Sequence, residues 1–86
     1  MPSKITLYVL KGKNGKRYVG ITNNLSRRIQ EHRSKVTKGG QLLGAFSVLY
    51  TEELPDYNTA RERERFFKSG QGRKWLDDFE VMSRPA

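Results

Sequence analysis

The sequence predicts an α+β fold built from three strands and three helices. Two β-rich segments at the start of the chain are joined by a short turn, which is typical of an antiparallel hairpin. A third β-rich segment lies between segments with the 3.6-residue apolar period of a helix. The chain has 86 residues, enough for one compact core and too few for two. We therefore expect one domain over residues 1–82 and a short flexible tail over residues 83–86.

A hairpin of residues 5–11 and 16–21 opens the predicted fold, and its connection contains the turn dipeptide Asn-Gly. A two-residue turn would place Tyr8 and Tyr18 on opposite faces, because alternate strand residues point to opposite sides. A three-residue loop that ends with Gly15 in the left-handed bulge position places both tyrosines on one face. We favour this loop because it leaves the other face uniformly apolar. The loop is Lys13, Asn14 and Gly15, and the apolar face is Leu7, Val9, Val19 and Ile21.

The first predicted helix covers residues 24–35, because the two asparagines at its start can accept hydrogen bonds from first-turn amides. Arg28 and His32 lie four residues apart along its edge and so can reach the same site. Gly39 and Gly40 are expected to end this helical region. The apolar stripe of the helix is Leu25, Ile29 and Val36.

The second half of the chain begins with a predicted strand over residues 46–51. A helix follows over residues 58–69, and two glycines end it. A last short helix over residues 73–79 is expected to bury Trp75 and Leu76.

The composition points to a polyanionic partner. Lysine and arginine total 17 against 9 acidic residues, a net charge of +8, and nucleic acid is the first candidate at this size. An acidic membrane surface is the alternative, but no apolar run approaches the ~20 residues of a membrane span, and no targeting signal is recognisable. We expect a cytoplasmic protein. The absence of cysteine and the single histidine leave only a hard cation with oxygen ligands as a candidate metal.

A carboxylate lies in line with apolar residues on the second long helix. Ala60, Glu64 and Phe67 share one helical face, which predicts that Glu64 points inward, whereas Glu62 fits a solvated face. Taken by itself, the charged run around Glu64 is better explained as an ion-paired surface. The hairpin tyrosines, Arg28 and His32 have equally ordinary structural explanations.

These segments together resemble the GIY-YIG nuclease family over about the whole chain. Residues 18–22 read Tyr-Val-Gly-Ile-Thr, close to the second family triplet, while residues 6–8 read Thr-Leu-Tyr and keep only the tyrosine of the first. Residues 23–32 resemble the family's first helix, and residues 60–68 resemble its glutamate-bearing segment. No late asparagine of the kind some members carry is evident. The resemblance implies a three-stranded antiparallel sheet flanked by helices.

The resemblance also implies a site for phosphodiester hydrolysis. Tyr8 would accept a proton from the attacking water, with Arg28 supplying positive charge and binding phosphate. Tyr18 would position the water or phosphate, and His32 would orient Tyr8 or contact the phosphate. Glu64 would be the protein ligand of Mg²⁺ or Mn²⁺. Further DNA backbone contacts are expected from Lys11, Lys13, Lys16, Arg17, Lys35, Lys38, Lys68, Arg73 and Lys74, although about half of these charges could serve only solubility.

The sequence thus predicts a metal-dependent DNA endonuclease of low sequence specificity, with repair or recombination as candidate roles. One alternative is a basic module that binds DNA or RNA without cutting it. Another is a catalytic subunit that needs a protein partner, or a second copy of itself, to select its substrate.

Overall fold

A computed structural model describes residues 4–34 and 38–83 and confirms the α+β class. None of the helices within these residues is long and apolar enough to cross a membrane. The elements, in chain order, are β1 (Ile5–Gly12), β2 (Arg17–Thr22), α1 (Leu25–Arg33), α2 (Lys38–Leu43), β3 (Phe46–Leu54), α3 (Tyr57–Lys68) and α4 (Gly70–Ser83).

The hairpin between β1 and β2 has the predicted three-residue loop. Gly12 N donates to Lys16 O at 2.9 Å, and Gly15 N donates to Gly12 O at 3.0 Å. Gly15 has a φ of 85°, the left-handed conformation that a bulge glycine adopts without a side-chain clash. The strands pair Leu10 with Tyr18, so the register prediction is confirmed.

The sheet is antiparallel throughout, with β1 in the centre in the order β2-β1-β3. Helices cover both of its faces. One face packs on α3 and α4. The core between them buries Leu7, Val9 and Val19 of the sheet with Phe67 of α3 and Leu76 of α4. The other face packs on α1 and α2, and it consists of Tyr8, Leu10 and Leu43 with Tyr18, Leu25, Ile29 and Phe46 around them.

The helical region after β2 differs from the prediction. The expected helix corresponds to α1, which ends at Arg33. Gly39 and Gly40 do not end a helix but lie inside α2. Gly40 packs against the backbone of α1, where a Cβ would lie 2.9 Å from the carbonyl carbon of His32. A glycine is therefore needed there for close approach and not for chain termination. Lys35 and Val36 lie outside the described residues.

The boundary between α3 and α4 also differs. Gly70 and Gly72 were expected to lie in a break, but both belong to α4, which has 14 residues. Ser69 makes the break instead, because its amide donates to Phe66 O at 3.0 Å and its hydroxyl accepts from Gly72 N at 3.2 Å. One serine thus closes the end of α3 and caps the start of α4.

The expected burial of α4 is only half correct. Leu76 is 1% exposed, as predicted, but Trp75 is 38% exposed. The Trp75 ring lies at the edge of an aromatic cluster, with its centroid 5.1 Å from that of Tyr50 and 5.5 Å from that of Phe79. A large indole in such a position packs on one side and contacts solvent on the other.

Candidate active site

The two hairpin tyrosines lie on the face of the sheet that α1 and α2 cover. Tyr8 on β1 and Tyr18 on β2 have ring centroids 6.3 Å apart. Tyr8 is paired with Gly20 across the strands, and a Cβ on Gly20 would lie 2.6 Å from Tyr8 Cζ. Gly20 therefore leaves the space in which the Tyr8 ring lies over β2.

Helix α1 brings Arg28 and His32 to these tyrosines. Asn24 caps the helix, since its side chain accepts a hydrogen bond from Arg27 N at 3.1 Å. This anchors the first turn and sets which residues face the sheet. The His32 ring meets the Tyr18 ring edge-on, with centroids 5.0 Å apart.

The Tyr8 hydroxyl lies between the two α1 side chains. Its oxygen is 2.9 Å from His32 Nε2, and Arg28 Nε donates to it at 3.4 Å. Tyr8 and His32 are 1% and 0% exposed. Tyr8 comes from the hairpin and the other two residues from α1, and the fold makes the three one hydrogen-bonded group.

Burial sets the protonation of this group. It raises the pKa of Tyr8, against the hydrogen bond from Arg28, which lowers that pKa. It also lowers the pKa of His32, and the positive charge of Arg28 lowers it further. At neutral pH the phenol is therefore protonated and the imidazole is neutral. A bond donated by Tyr8 to His32 Nε2 fits these two states.

Arg28 remains positively charged in this environment. Its hydrogen bond to Tyr8 is the main cause of a raised pKa, and a bond to Glu31 adds to it. Arg28 Nη1 donates to Glu31 Oε1 at 3.1 Å. The guanidinium thus spans the distance between a buried hydroxyl and a carboxylate on its own helix. Glu31 is absent from the residues predicted for the site, although its spacing of three residues from Arg28 is typical of a helical ion pair.

Glu64 on α3 acts on the Tyr8 hydroxyl only through its charge. Its neighbours on the helical face, Ala60 and Phe67, are buried, while its own side chain remains 23% exposed and accepts a bond from Lys68 Nζ at 3.2 Å. Burial is the main cause of the raised pKa of Tyr8, and the negative charge of Glu64 makes a smaller contribution in the same direction. The carboxylate is therefore within electrostatic reach of the hydroxyl.

The donor set suits a cation with one protein ligand. Within residues 4–34 and 38–83, no group of three or more His, Cys, Asp or Glu residues could enclose a metal ion. A half-buried carboxylate such as Glu64 fits Mg²⁺ or Mn²⁺, because Mg²⁺ retains several waters and is often bound through one or two carboxylates together with substrate phosphate.

The basic residues expected to contact DNA fall into two groups. Arg17 donates to Asp77 at 2.6 Å, and both Arg17 and Lys11 form ion pairs with Glu80, so these two cations attach α4 to the hairpin. Glu80 lies 63 residues from Arg17 along the chain, so no local sequence pattern predicts this pair. Lys68, another predicted DNA contact, lies beside Glu64. The second group has exposed side chains and consists of Lys13, Lys16, Arg73 and Lys74. Lys35 and the Lys38 side chain lie outside what the structure describes.

The protein is thus a compact mixed domain in which a hairpin contributes two tyrosines, the next helix an arginine and a histidine, and a later helix a glutamate. The chain matches the family model described as the GIY-YIG catalytic domain over residues 4–76. It therefore belongs to the GIY-YIG family, a nuclease family.

Two relatives agree with this assignment. A UPF0213 protein in the VLF1-GP41 intergenic region of Autographa californica nuclear polyhedrosis virus is 40% identical over 62 residues, which are 67% of this chain and 58% of that protein. The chain thus spans less than two thirds of the viral relative. The solution NMR structure of a UPF0213 protein from Bacillus halodurans has a TM-score of 0.55 and 29% identity, and covers 87% of this chain and 83% of that one.

Proposed function

We propose that this protein is a divalent-metal-dependent endonuclease that hydrolyses DNA phosphodiester bonds with little sequence preference. The observation that supports this proposal best is the Tyr8 hydroxyl, which lies between an arginine donor and a neutral histidine. The net charge of +8 suits a polyanionic substrate.

Proton transfer would follow the bond from Tyr8 to His32. Tyr8 Oη takes a proton from the attacking water while its own proton passes to His32 Nε2, 2.9 Å away. The resulting hydroxide forms a bond to phosphorus, and the bond between phosphorus and the 3′ oxygen breaks. The departing 3′ alkoxide would take a proton from solvent to become a 3′-hydroxyl. A coupled transfer avoids a free phenolate, which the buried position of Tyr8 disfavours.

The other two side chains would act on the phosphate. Arg28 offers a planar set of donors that matches two phosphate oxygens, and its charge is permanent. Tyr18 would hold the water or the phosphate beside Tyr8, since its ring is in contact with the same group. Together they would orient the reacting atoms and balance the charge that develops on the phosphate.

Glu64 would hold the cation, and Lys68 would first have to release the Glu64 carboxylate. A bound Mg²⁺ or Mn²⁺ would neutralise charge on the phosphate and on the departing oxygen. Lys68 Nζ lies 3.2 Å from the same carboxylate and supplies positive charge to it.

The decisive experiment replaces Glu64 with glutamine and compares it with Glu62→Gln on the exposed side of α3. The first change removes the proposed ligand, so plasmid nicking in Mg²⁺ should fall on the order of a thousandfold or more. The second removes an equal charge away from the site and should leave nicking within a factor of about two. Equal activity in both variants would show that Glu64 is not the ligand.

The same plasmid assay separates a nuclease from a binding module. A nuclease nicks the plasmid in Mg²⁺ and not in EDTA, whereas a binding module retards it equally in both. Binding should weaken steeply from low to physiological salt and vary little between unrelated sequences, because the contacts are to phosphate. Cleavage of linear, nicked, flap and branched DNA would test a role in repair or recombination.

A further inference from the structure

The Arg28 guanidinium is held from two sides. Arg28 Nε donates to the buried Tyr8 hydroxyl at 3.4 Å, and Arg28 Nη1 donates to Glu31 Oε1 at 3.1 Å. The ion pair is partly open to solvent, with side-chain exposures of 34% for Arg28 and 39% for Glu31, while Tyr8 is 1% exposed. Arg28 therefore connects the buried hydroxyl to a carboxylate that solvent reaches, and Glu31 helps to hold the guanidinium in this position.

This arrangement opposes the arrival of a phosphate. Glu31 already uses one terminal N–H donor of Arg28, and that donor is among those a phosphate oxygen would need for bidentate binding. The Glu31 carboxylate would also lie within a few ångströms of the phosphate and repel it.

We infer that Glu31 is a positioning residue that competes with the DNA phosphate for Arg28 and thereby sets the affinity of the site. The inference rests on the proposed function. In the free protein, Glu31 holds the guanidinium over Tyr8. On binding, a phosphate oxygen replaces Glu31 Oε1 at Arg28 Nη1, while Arg28 Nε keeps its bond to Tyr8. The affinity of the site is thus lower than its donors alone would allow.

The test is a binding measurement that does not depend on turnover. Fluorescence anisotropy of a labelled DNA duplex in EDTA compares the parent with Glu31→Gln, which keeps the side-chain size and removes the charge. Kd should fall roughly threefold to tenfold, the range for loss of one competing ion pair with added relief of repulsion. Glu62→Gln is the matched control, because it makes the same charge change on α3, and it should alter Kd less than about twofold.

A double variant shows whether the effect of Glu31→Gln depends on Arg28. When Arg28→Gln is present, adding Glu31→Gln should lower Kd by a clearly smaller factor than it does in the parent, because the competition for Arg28 is gone and only the repulsion between carboxylate and phosphate is relieved. A gain without Arg28 that equals the gain in the parent would mean a general charge effect, and it would overturn the inference. So would a Glu31→Gln protein that binds no more tightly than the parent.

Turnover provides a separate readout. In Mg²⁺, Glu31→Gln should lower KM by about the same factor as Kd and leave kcat within a factor of about two. A purely structural role would lower kcat and the melting temperature together, which would also overturn the inference. If the parent neither binds nor cuts DNA, the proposed function fails. If it does both and Glu31→Gln does not bind more tightly, only the role of Glu31 fails.

Discussion

The two faces of the sheet bury different chemistry. The face under α1 encloses Tyr8 and His32, two polar side chains with almost no solvent exposure, joined by a hydrogen bond. The face under α3 and α4 is built from apolar and aromatic groups, with the Phe67 ring centroid 5.6 Å from that of Tyr50 and 5.3 Å from that of Trp75. Burying polar groups adds little net stability, whereas burying rings adds much. We therefore expect the aromatic face to contribute more of the stability, and the Tyr8 face to carry the chemistry if the proposed function holds.

Two tyrosines make this contrast specific. The Tyr8 hydroxyl bonds to His32, and the Tyr50 hydroxyl donates to Glu52 Oε2 at 3.0 Å. Burial raises the pKa of both phenols, so neither is set apart by its acidity. An arginine is near each hydroxyl, Arg28 at Tyr8 and Arg63 at Tyr50. They differ in the other partner of the hydroxyl, which is a neutral imidazole at Tyr8 and a carboxylate at Tyr50.

The largest effect is expected for Tyr8→Phe measured against Tyr50→Phe. Loss of the Tyr8 hydroxyl should lower the cleavage rate about 10²-fold to 10⁴-fold, the range for a general base. Loss of the Tyr50 hydroxyl should cost about 1 kcal/mol of stability and leave cleavage within a factor of about two. Single-turnover cleavage and urea unfolding of both variants measure this. Similar cleavage defects in the two variants would show that the two faces do not differ in their contribution to cleavage.

The second-largest effect is expected for Phe67→Ala, which should lower stability and leave cleavage nearly unchanged, the opposite of Tyr8→Phe. Phe67 is 1% exposed within the aromatic face, so truncation should lower the free energy of unfolding by about 3–5 kcal/mol. Protein that remains folded at low temperature should still cut DNA at a rate near that of the parent. A folded Phe67→Ala protein without activity would show that the aromatic face also shapes the site.

A smaller effect is expected for Gly20→Ala, which inserts a methyl group against the Tyr8 ring. Overpacking should cost about 1–3 kcal/mol of stability, and cleavage should fall because Tyr8 must move. Gly70→Ala is the control, since no atom lies within 4 Å of a Cβ built there and alanine favours a helix. Equal melting temperatures for parent and Gly20→Ala would mean that Tyr8 has room to shift.

The smallest effect is a pH dependence of stability due to His32, the only histidine of the chain. Its pKa is lowered in the folded protein, so the unfolded chain takes up a proton first as pH falls below about 6.5. Stability should be complete above that pH and decline below it, at no more than about 1.4 kcal/mol per pH unit. Urea unfolding between pH 5.5 and 8 measures the slope. His32→Gln should lack it, and an unchanged slope in that variant would assign the effect to other groups.

The sequence by itself determined the local parts of this protein. The Asn-Gly turn and the alternation of apolar residues specified the loop and the register of the hairpin, and thus placed Tyr8 and Tyr18 on one face. The helical spacing of Arg28 and His32 placed both on one edge of α1. These features depend on neighbours within a few residues, which the order of amino acids specifies directly.

Only the tertiary structure decided the contacts between distant segments. It buried His32 against Tyr8, left Trp75 partly exposed and attached Arg17 to Glu80 through an ion pair. It also turned Gly40 from an expected helix end into a packing position inside α2. No local pattern encodes these outcomes, because each depends on which surfaces meet when helices pack on the sheet, and a glycine or a charge is compatible with several such arrangements.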